Sequence, residues 1–411
     1  MAERLALFGG TPVRQEPFPD WPVFGEAERE ALINVLDSGN WNVGEKVAQF
    51  EEAYAAYQTA RFGIACTSGT TALEIAMIAA GIGAGDEVIL SPYTFMASAS
   101  SILRVNAVPV FCDVEPDTFN LDPGRIETLI NEKTKAIMPV HFSGLVCDMD
   151  RVNEIAKTAG LKVIEDAAHC WGSFWKGKGA GALGDAGAFS FQMSKNITGG
   201  EGGIVLTDDE EIAARARAFG NCGRGLDDPW YDHFLLGTNL RMTAWQAAVL
   251  LVQLNRLPEQ VETRQRNGRY LDQQLSQIPG IRQIREDARQ TQRSYHLYQY
   301  RYVPEEFDGL SRARFFEALN AEGVESYGGY AQPLHKLPLF QRMGTGPHFC
   351  PISCPYYGRE VDYRQTRCPV AEQVCEEAGW MRQSILLGTR EDMDAIVTAF
   401  RKVRDNAGQL L

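Results

Sequence analysis

The chain has 411 residues, 45% of them hydrophobic and 23% charged, with a formal net charge of −13. This length suits two domains, and the composition is that of an ordinary soluble globular protein. The acidic balance argues against nucleic acid, whose phosphates need a basic footprint, and no stretch reaches membrane-spanning length.

Residues 1–25 carry Pro12, Pro17, Pro19 and Trp21-Pro22 and read as an extended N-terminal arm. The opening Met1-Ala2-Glu3-Arg4-Leu5 has no basic segment leading into an apolar run, so a cytoplasmic location and no membrane partner are expected. Helical patterning follows from Glu26 to a stop at Ser38-Gly39, and again from Val47 to Tyr57. From about residue 62 apolar strands alternate with helices. The strands are predicted at Phe62–Thr67, Glu87–Leu90, Val108–Asp113, Ala136–His141, Lys162–Asp166, Ala186–Phe191 and Gly203–Thr207; Ala72–Ile82 and Pro123–Glu132 are helices among them. Such a repeat predicts an α/β fold with a mostly parallel seven-stranded sheet flanked by helices. Ligands gather at the carboxyl ends of strands in these sheets.

A helix-rich run from Ala244 to about Gln274 leads into a strand at Tyr295–Val303, a helix at Ser311–Glu322 and an amphipathic end from Arg390 to Val403. The expected division is an arm at 1–25, a large domain at 26–269 and a smaller α/β domain at 270–411. Nine cysteines, such as Cys66 and Cys112, are scattered among apolar residues and read as reduced, buried thiols. His348, Cys350, Cys354, Cys368 and Cys375 cluster in sequence, but their spacings do not repeat as ligand pairs, so no metal is expected.

Four features fall at predicted strand ends. In Thr67-Ser68-Gly69-Thr70-Thr71-Ala72-Leu73-Glu74, hydroxyls and a glycine open a helix, with Thr71 and Glu74 fitting a capping box. A helix start exposes unpaired N–H groups, which makes either a phosphate cradle or a capped helix without ligand. Ser91-Pro92-Tyr93-Thr94-Phe95-Met96-Ala97 brings aromatic rings that stack on a flat cofactor or join the core. The apolar Val163-Ile164-Glu165 delivers Asp166, followed by Ala167-Ala168-His169. That carboxylate suits a protonated pyridine nitrogen, or a structural ion pair. Last, Phe189-Ser190-Phe191-Gln192-Met193-Ser194-Lys195 precedes a glycine-rich turn. Burial would lower the Lys195 pKa and free its amine to attack an aldehyde, with Ser190 near a phosphate; a surface lysine is the alternative. Lys176 and Lys178 sit in a glycine-rich polar stretch and read as an exposed hairpin.

Cradle, ring, acid and lysine, in that order, resemble the DegT/DnrJ/EryC1/StrS sugar aminotransferases, a family within the fold-type I pyridoxal-phosphate (PLP) enzymes. The likeness continues through Gly184-Asp185, Gly200-Glu201-Gly202-Gly203, Gly237-Thr238-Asn239-Leu240-Arg241-Met242 and Pro333-Leu334-His335. It implies PLP held by Lys195 as a Schiff base, with Asp166 on the pyridinium. Phe95 and Ala168 would pack on the two ring faces, and Ser68, Gly69, Thr70 and Ser190 would hold the phosphate. Asn239 would reach the partner's cofactor across a homodimer interface. His169 stands where the family more often has glutamine; its imidazole would donate to the phenolic oxygen, and titration near neutrality would add a pH dependence. Substrate contacts are nominated at Trp41, His141, Arg241, Tyr330 and His335. The start Leu5–Arg14 and Trp380 with Leu386-Leu387-Gly388 are similar to a cyclitol branch that aminates inosose-type ketones with glutamine. The implied reaction is ping-pong transfer from an amino acid donor (glutamine or glutamate) to a keto-sugar, ketocyclitol or related carbonyl. A dehydratase of the same superfamily would carry histidine in place of Lys195. A nicotinamide enzyme would show a Gly-x-Gly-x-x-Gly after the first strand, which is missing.

Overall fold

Largely apolar runs such as Glu87–Leu90 and Gly203–Thr207 are buried along their whole length, the pattern of strands covered on both faces. In the computed structural model, which describes residues 3–225, 231–342, 351–352 and 354–411, these runs form one seven-stranded sheet. Its strands are β1 (Phe62–Cys66), β2 (Glu87–Leu90), β3 (Val108–Phe111), β4 (Thr134–Met138), β5 (Lys162–Asp166), β8 (Ala186–Ser190) and β9 (Gly203–Thr207), where β6 (Phe174–Trp175) and β7 (Lys178–Gly179) make a small hairpin between them. The order is β1-β9-β8-β5-β4-β2-β3. Only β9 runs against the rest, pairing antiparallel with both β1 and β8.

Side chains alternate between two cores, as a period of two requires. Val88, Leu90, Ala136 and Ile164 point into one, with the helix Gly69–Ala79. Ile89, Ile137 and Val163 point into the other, with the helices Glu45–Tyr57 and Met149–Ala159.

The remaining strands are β10 (Ile281–Gln283), β11 (Gln290–Gln292), β12 (Leu297–Tyr302) and β13 (Ala378–Arg382). β10, β12 and β13 form an antiparallel sheet in that order, and β11 joins the β6–β7 hairpin. A third core under the β10-β12-β13 sheet gathers Leu271, Tyr300, Phe315 and Phe400, with Leu5 of the arm; Phe8 and Phe18 pack against it. Arg14 adds an ion pair to Asp392 at 2.6 Å. The 269/270 division falls inside the continuous helix Ala244–Leu275. Farther on, Leu334, Phe340, Tyr363 and Val374 return to the core that holds Val88.

Local details differ from the expectations at two helices. The helix from Pro123 ends at Ile126 and tightens into a 3₁₀ turn over Glu127–Leu129. The cap before Ala72 lies one turn early: Ser68 Oγ accepts from Thr71 N at 3.2 Å, and Thr71 Oγ1 accepts from Ser68 N at 3.0 Å. Glu74 instead meets Arg104 at 2.5 Å, because its place in the second turn is too far along to reach the helix start. No described helix is long and apolar enough to cross a membrane. Among the described residues no group of three His, Cys, Asp or Glu is placed to hold a metal; His348 and Cys350 lie outside them.

Candidate active site

The carboxyl ends of β1, β5 and β8 open onto a cavity of about 590 Å³ that β12, β13 and the Tyr330 loop close. Ser68, Gly69, Thr70, Phe95, Asp166, Ala168, His169, Ser190, Lys195 and Tyr330 all line it. Ten positions nominated from the sequence therefore meet in one place.

The cradle comes from the start of the helix Gly69–Ala79. Its first ladder bond is Ala72 N to Ser68 O at 2.9 Å, which leaves the N–H groups of Gly69 and Thr70 ahead of the ladder. A Cβ on Gly69 would lie 2.6 Å from Ser190 Cβ, so only glycine lets the helix start and the end of β8 approach this closely. Phe95 caps the next helix and is 63% exposed, an unusual state for a large ring.

Along β5, alternation sends Glu165 and Asp166 to opposite faces. Glu165 is fully buried and accepts from the N–H groups of Gly181, Leu183 and Gly184, each at 2.7 Å. Asp166 faces the cavity. Its Oδ2 accepts from Ser98 Oγ at 2.7 Å and its Oδ1 from Ala168 N at 3.2 Å. Because the Ser98 proton is committed to Asp166, Thr94 Oγ1, 2.8 Å from Ser98 Oγ, donates in turn. This hydroxyl relay fixes the carboxylate from behind.

Lys195 lies in the turn after β8, its N–H bonded to Gln192 O at 2.9 Å. Burial lowers its pKa to about 8, and the Asp166 charge opposes that fall. Its Nζ lies 5.7 Å from the Trp171 ring centre and makes no ion pair among the described residues. Lys176 and Lys178, by contrast, pair with Asp150 at 2.6 Å and Asp208 at 2.8 Å on the β6–β7 hairpin. Burial first, then the Lys195 charge and His296, hold His169 well below the ordinary histidine range. It is neutral around pH 7, so this ring does not meet the condition for adding a pH dependence near neutrality.

Several nominated residues lie elsewhere. His141 is fully buried and binds Glu165 through Nε2 at 2.7 Å, while Nδ1 accepts from Cys147 N at 3.2 Å. Both nitrogens serve the fold, which removes it as a substrate contact. His335 is buried against Phe111, 3.5 Å from Glu372, and does not line the cavity. Trp41 is half exposed and packs on Trp245 at 5.6 Å between ring centres, also outside the cavity. Arg241 donates to Asn221 Oδ1 at 3.1 Å, and Asn239 is exposed; neither lines this chain's cavity. Sequence reasoning missed Ser98, Glu201, His296 and Trp380. His296 is the second residue of the predicted strand Tyr295–Val303, and Trp380 occupies β13, but no local signal aims either at β5 or β8.

The DegT/DnrJ/EryC1/StrS aminotransferase family model matches residues 22–351. An L-glutamine:2-deoxy-scyllo-inosose aminotransferase of Streptomyces paromomycinus is 38% identical over 420 residues, covering 98% of each chain. The 3-amino-5-hydroxybenzoic acid synthase structure superimposes with a TM-score of 0.85 at 32% identity, over 96% of this chain and 100% of that one. Streptomyces venezuelae DesV, solved with a ketimine intermediate, gives 0.81 at 30% identity, over 95% and 99%. With cradle, acid and lysine in one cavity and similarity along its length, the chain belongs to the DegT/DnrJ/EryC1/StrS aminotransferase family.

Proposed function

We propose that this chain is a PLP-dependent transaminase that carries an amino group from glutamine or glutamate to an uncharged cyclic ketone, a keto-sugar or ketocyclitol. The observation that carries the reading is the meeting of an amine with its pKa lowered to about 8, a braced carboxylate and a helix-start cradle in one cavity. The residues present fit PLP. Gly69 admits a phosphate between the helix start and Ser190, where a Cβ would intrude. Lys195 Nζ would hold the aldehyde carbon, Asp166 would face the pyridine nitrogen, and Phe95 and Ala168 would flank the ring.

Bound PLP supplies an electron sink for charge developed on the donor's α-carbon. Lys195, with a pKa of about 8, has a usable free-amine fraction near neutrality and moves the proton at Nζ. Asp166, fixed by Ser98, would keep the ring nitrogen of bound PLP protonated by its charge. Neutral His169 donates without adding a second cation beside Lys195. Tyr330 and Trp380, with ring centres 5.0 Å apart, form an apolar wall on which the C–H face of a ring polyol packs.

Charge on this chain's side of the pocket supports the acceptor class. Among the described lining residues Lys195 is the one cation, so the pocket offers no pair of charges for a diphosphate. The inosose and glutamine in a relative's name accord with this chemistry. Exposed Asn239 suits a contact with a second copy, as a homodimer with sites at its interface would need. The eight described cysteines are unpaired, which accords with the cytoplasm. The test is a set of half-reactions: glutamine, glutamate and alanine are each mixed with holoenzyme while the cofactor's absorbance is followed. At least one donor should discharge the aldehyde form without acceptor, and an inosose should restore it. No change with any donor would defeat the reading.

A further inference from the structure

Two histidines meet at the cavity wall in opposite tautomers. The Ser143 N–H donates to His169 Nδ1 at 3.3 Å, so this neutral ring carries its proton on Nε2. His296 Nδ1 lies 3.2 Å from Asn196 Oδ1. The Asn196 amide is oriented by its Nδ2, which donates to Ser294 O at 2.9 Å. Its Oδ1 can only accept, so His296 is protonated on Nδ1 and leaves Nε2 bare. The ring centres are 4.2 Å apart at an interplanar angle of 37°, and both rings line the cavity beside Lys195. Phe142 flanks His169 at 5.5 Å and Trp171 flanks His296 at 5.3 Å.

We propose that His296, fixed by Asn196, is a positioning residue: stacked on His169, it holds that ring where the Ser143 N–H meets Nδ1, so that His169 stays an uncharged donor presenting Nε2–H to the cavity. The role rests on the reading of this cavity as a PLP site, where His169 would meet the cofactor's phenolic oxygen. The choice of an amide at position 196 carries the argument. An amide oxygen accepts from a neutral imidazole, but it does not offset an imidazolium as a carboxylate does. The charged groups around the pair are Lys195 after β8, Asp166 at the end of β5 and Arg264 on the long helix. Burial first, then Lys195, disfavours a charge on either ring; His296 adds to this for His169, and Arg264 for His296. Of the three nitrogen bases in this wall, the device leaves only Lys195 to titrate near neutrality.

The test reads the imidazoles directly, by nitrogen–proton correlation spectra of apoprotein labelled at histidine, between about pH 6 and 8.5. His169→Gln and His296→Asn assign the signals. The wild type should show both rings neutral, His169 protonated on Nε2 and His296 on Nδ1, with no titration across the range. In His296→Asn the single His169 tautomer should be lost. In Asn196→Asp, close to the native shape, the His296 signal should shift to that of an imidazolium at pH 7. Rings sharing one tautomer, either ring titrating in the wild type, or a His169 signal unaltered in His296→Asn would overturn the inference. Borohydride labelling of Lys195 in the holoenzyme is read separately. Label without the tautomer pair sinks the histidine role alone; the tautomer pair without label sinks the PLP reading, and with it the cofactor contact of His169, but leaves the pairing of the two rings standing.

Discussion

Replacing Lys195 with methionine should make the apoprotein more stable near pH 7. Methionine keeps the unbranched, flexible form and most of the length of the side chain while removing the ammonium. In the folded chain the Lys195 pKa falls from 10.5 to about 8, burial lowering it against the pull of Asp166. At about 1.4 kcal/mol per pH unit, carrying that charge costs the fold roughly 3 kcal/mol. Lys195 keeps some contact with solvent, which reduces the expected gain to about 1–3 kcal/mol. A basic group whose pKa is depressed on folding penalises the folded state below that lower pKa. The penalty fades as pH rises from about 8 to 10.5, where the unfolded chain also loses its proton. Urea unfolding of both apoproteins at one fixed protomer concentration, near pH 7 and near pH 10.5, measures this. Packing differences cancel when the two pH values are compared. The variant should lead near pH 7 and lose most of that lead near pH 10.5. A lead of the same size at both, or none near pH 7, would refute a penalised ammonium at 195.

Asp166→Asn keeps the contact with Ser98 but removes the charge, so kcat should fall by about a thousandfold. The Lys195 pKa should also drop below about 8, since its stabilising neighbour is gone; amine-labelling rates against pH check this second effect. Gly69→Ala should weaken PLP at least about tenfold in an absorbance titration, because the new Cβ would lie 2.6 Å from Ser190 Cβ. An unchanged affinity would contradict the cradle. His141→Ala should cost about 2–4 kcal/mol by leaving the buried Glu165 one donor short. Both substrate KM values should hold in the folded variant, and a change in either would return His141 to the substrate site.

What could be read in advance followed from local physics. Apolar runs located all seven large-sheet strands, and a strand end next to small residues marked both Asp166 and Lys195. Pairing was less accessible: β9 inserts antiparallel between β1 and β8, a choice of partner that no single strand encodes. The same limit explains the site. Its floor comes from positions 68–195 along consecutive strands, but its lid brings His296, Tyr330 and Trp380 from a segment more than 100 residues farther on. Ser98 was hidden for another reason, since one serine in a helix declares no partner until β5 places Asp166 2.7 Å away. His141 and His335 were nominated as chemical side chains. The fold uses His141 to satisfy a buried carboxylate and seals His335 against Phe111.

Whether Lys195 is the residue that bonds PLP is decided most directly by borohydride reduction of the holoenzyme and mapping of the modified peptide. The structure predicts one phosphopyridoxyl group, on the Nζ of Lys195, and none in Lys195→Ala. A protein that binds no PLP, or one that carries the label on another lysine, would contradict the assignment.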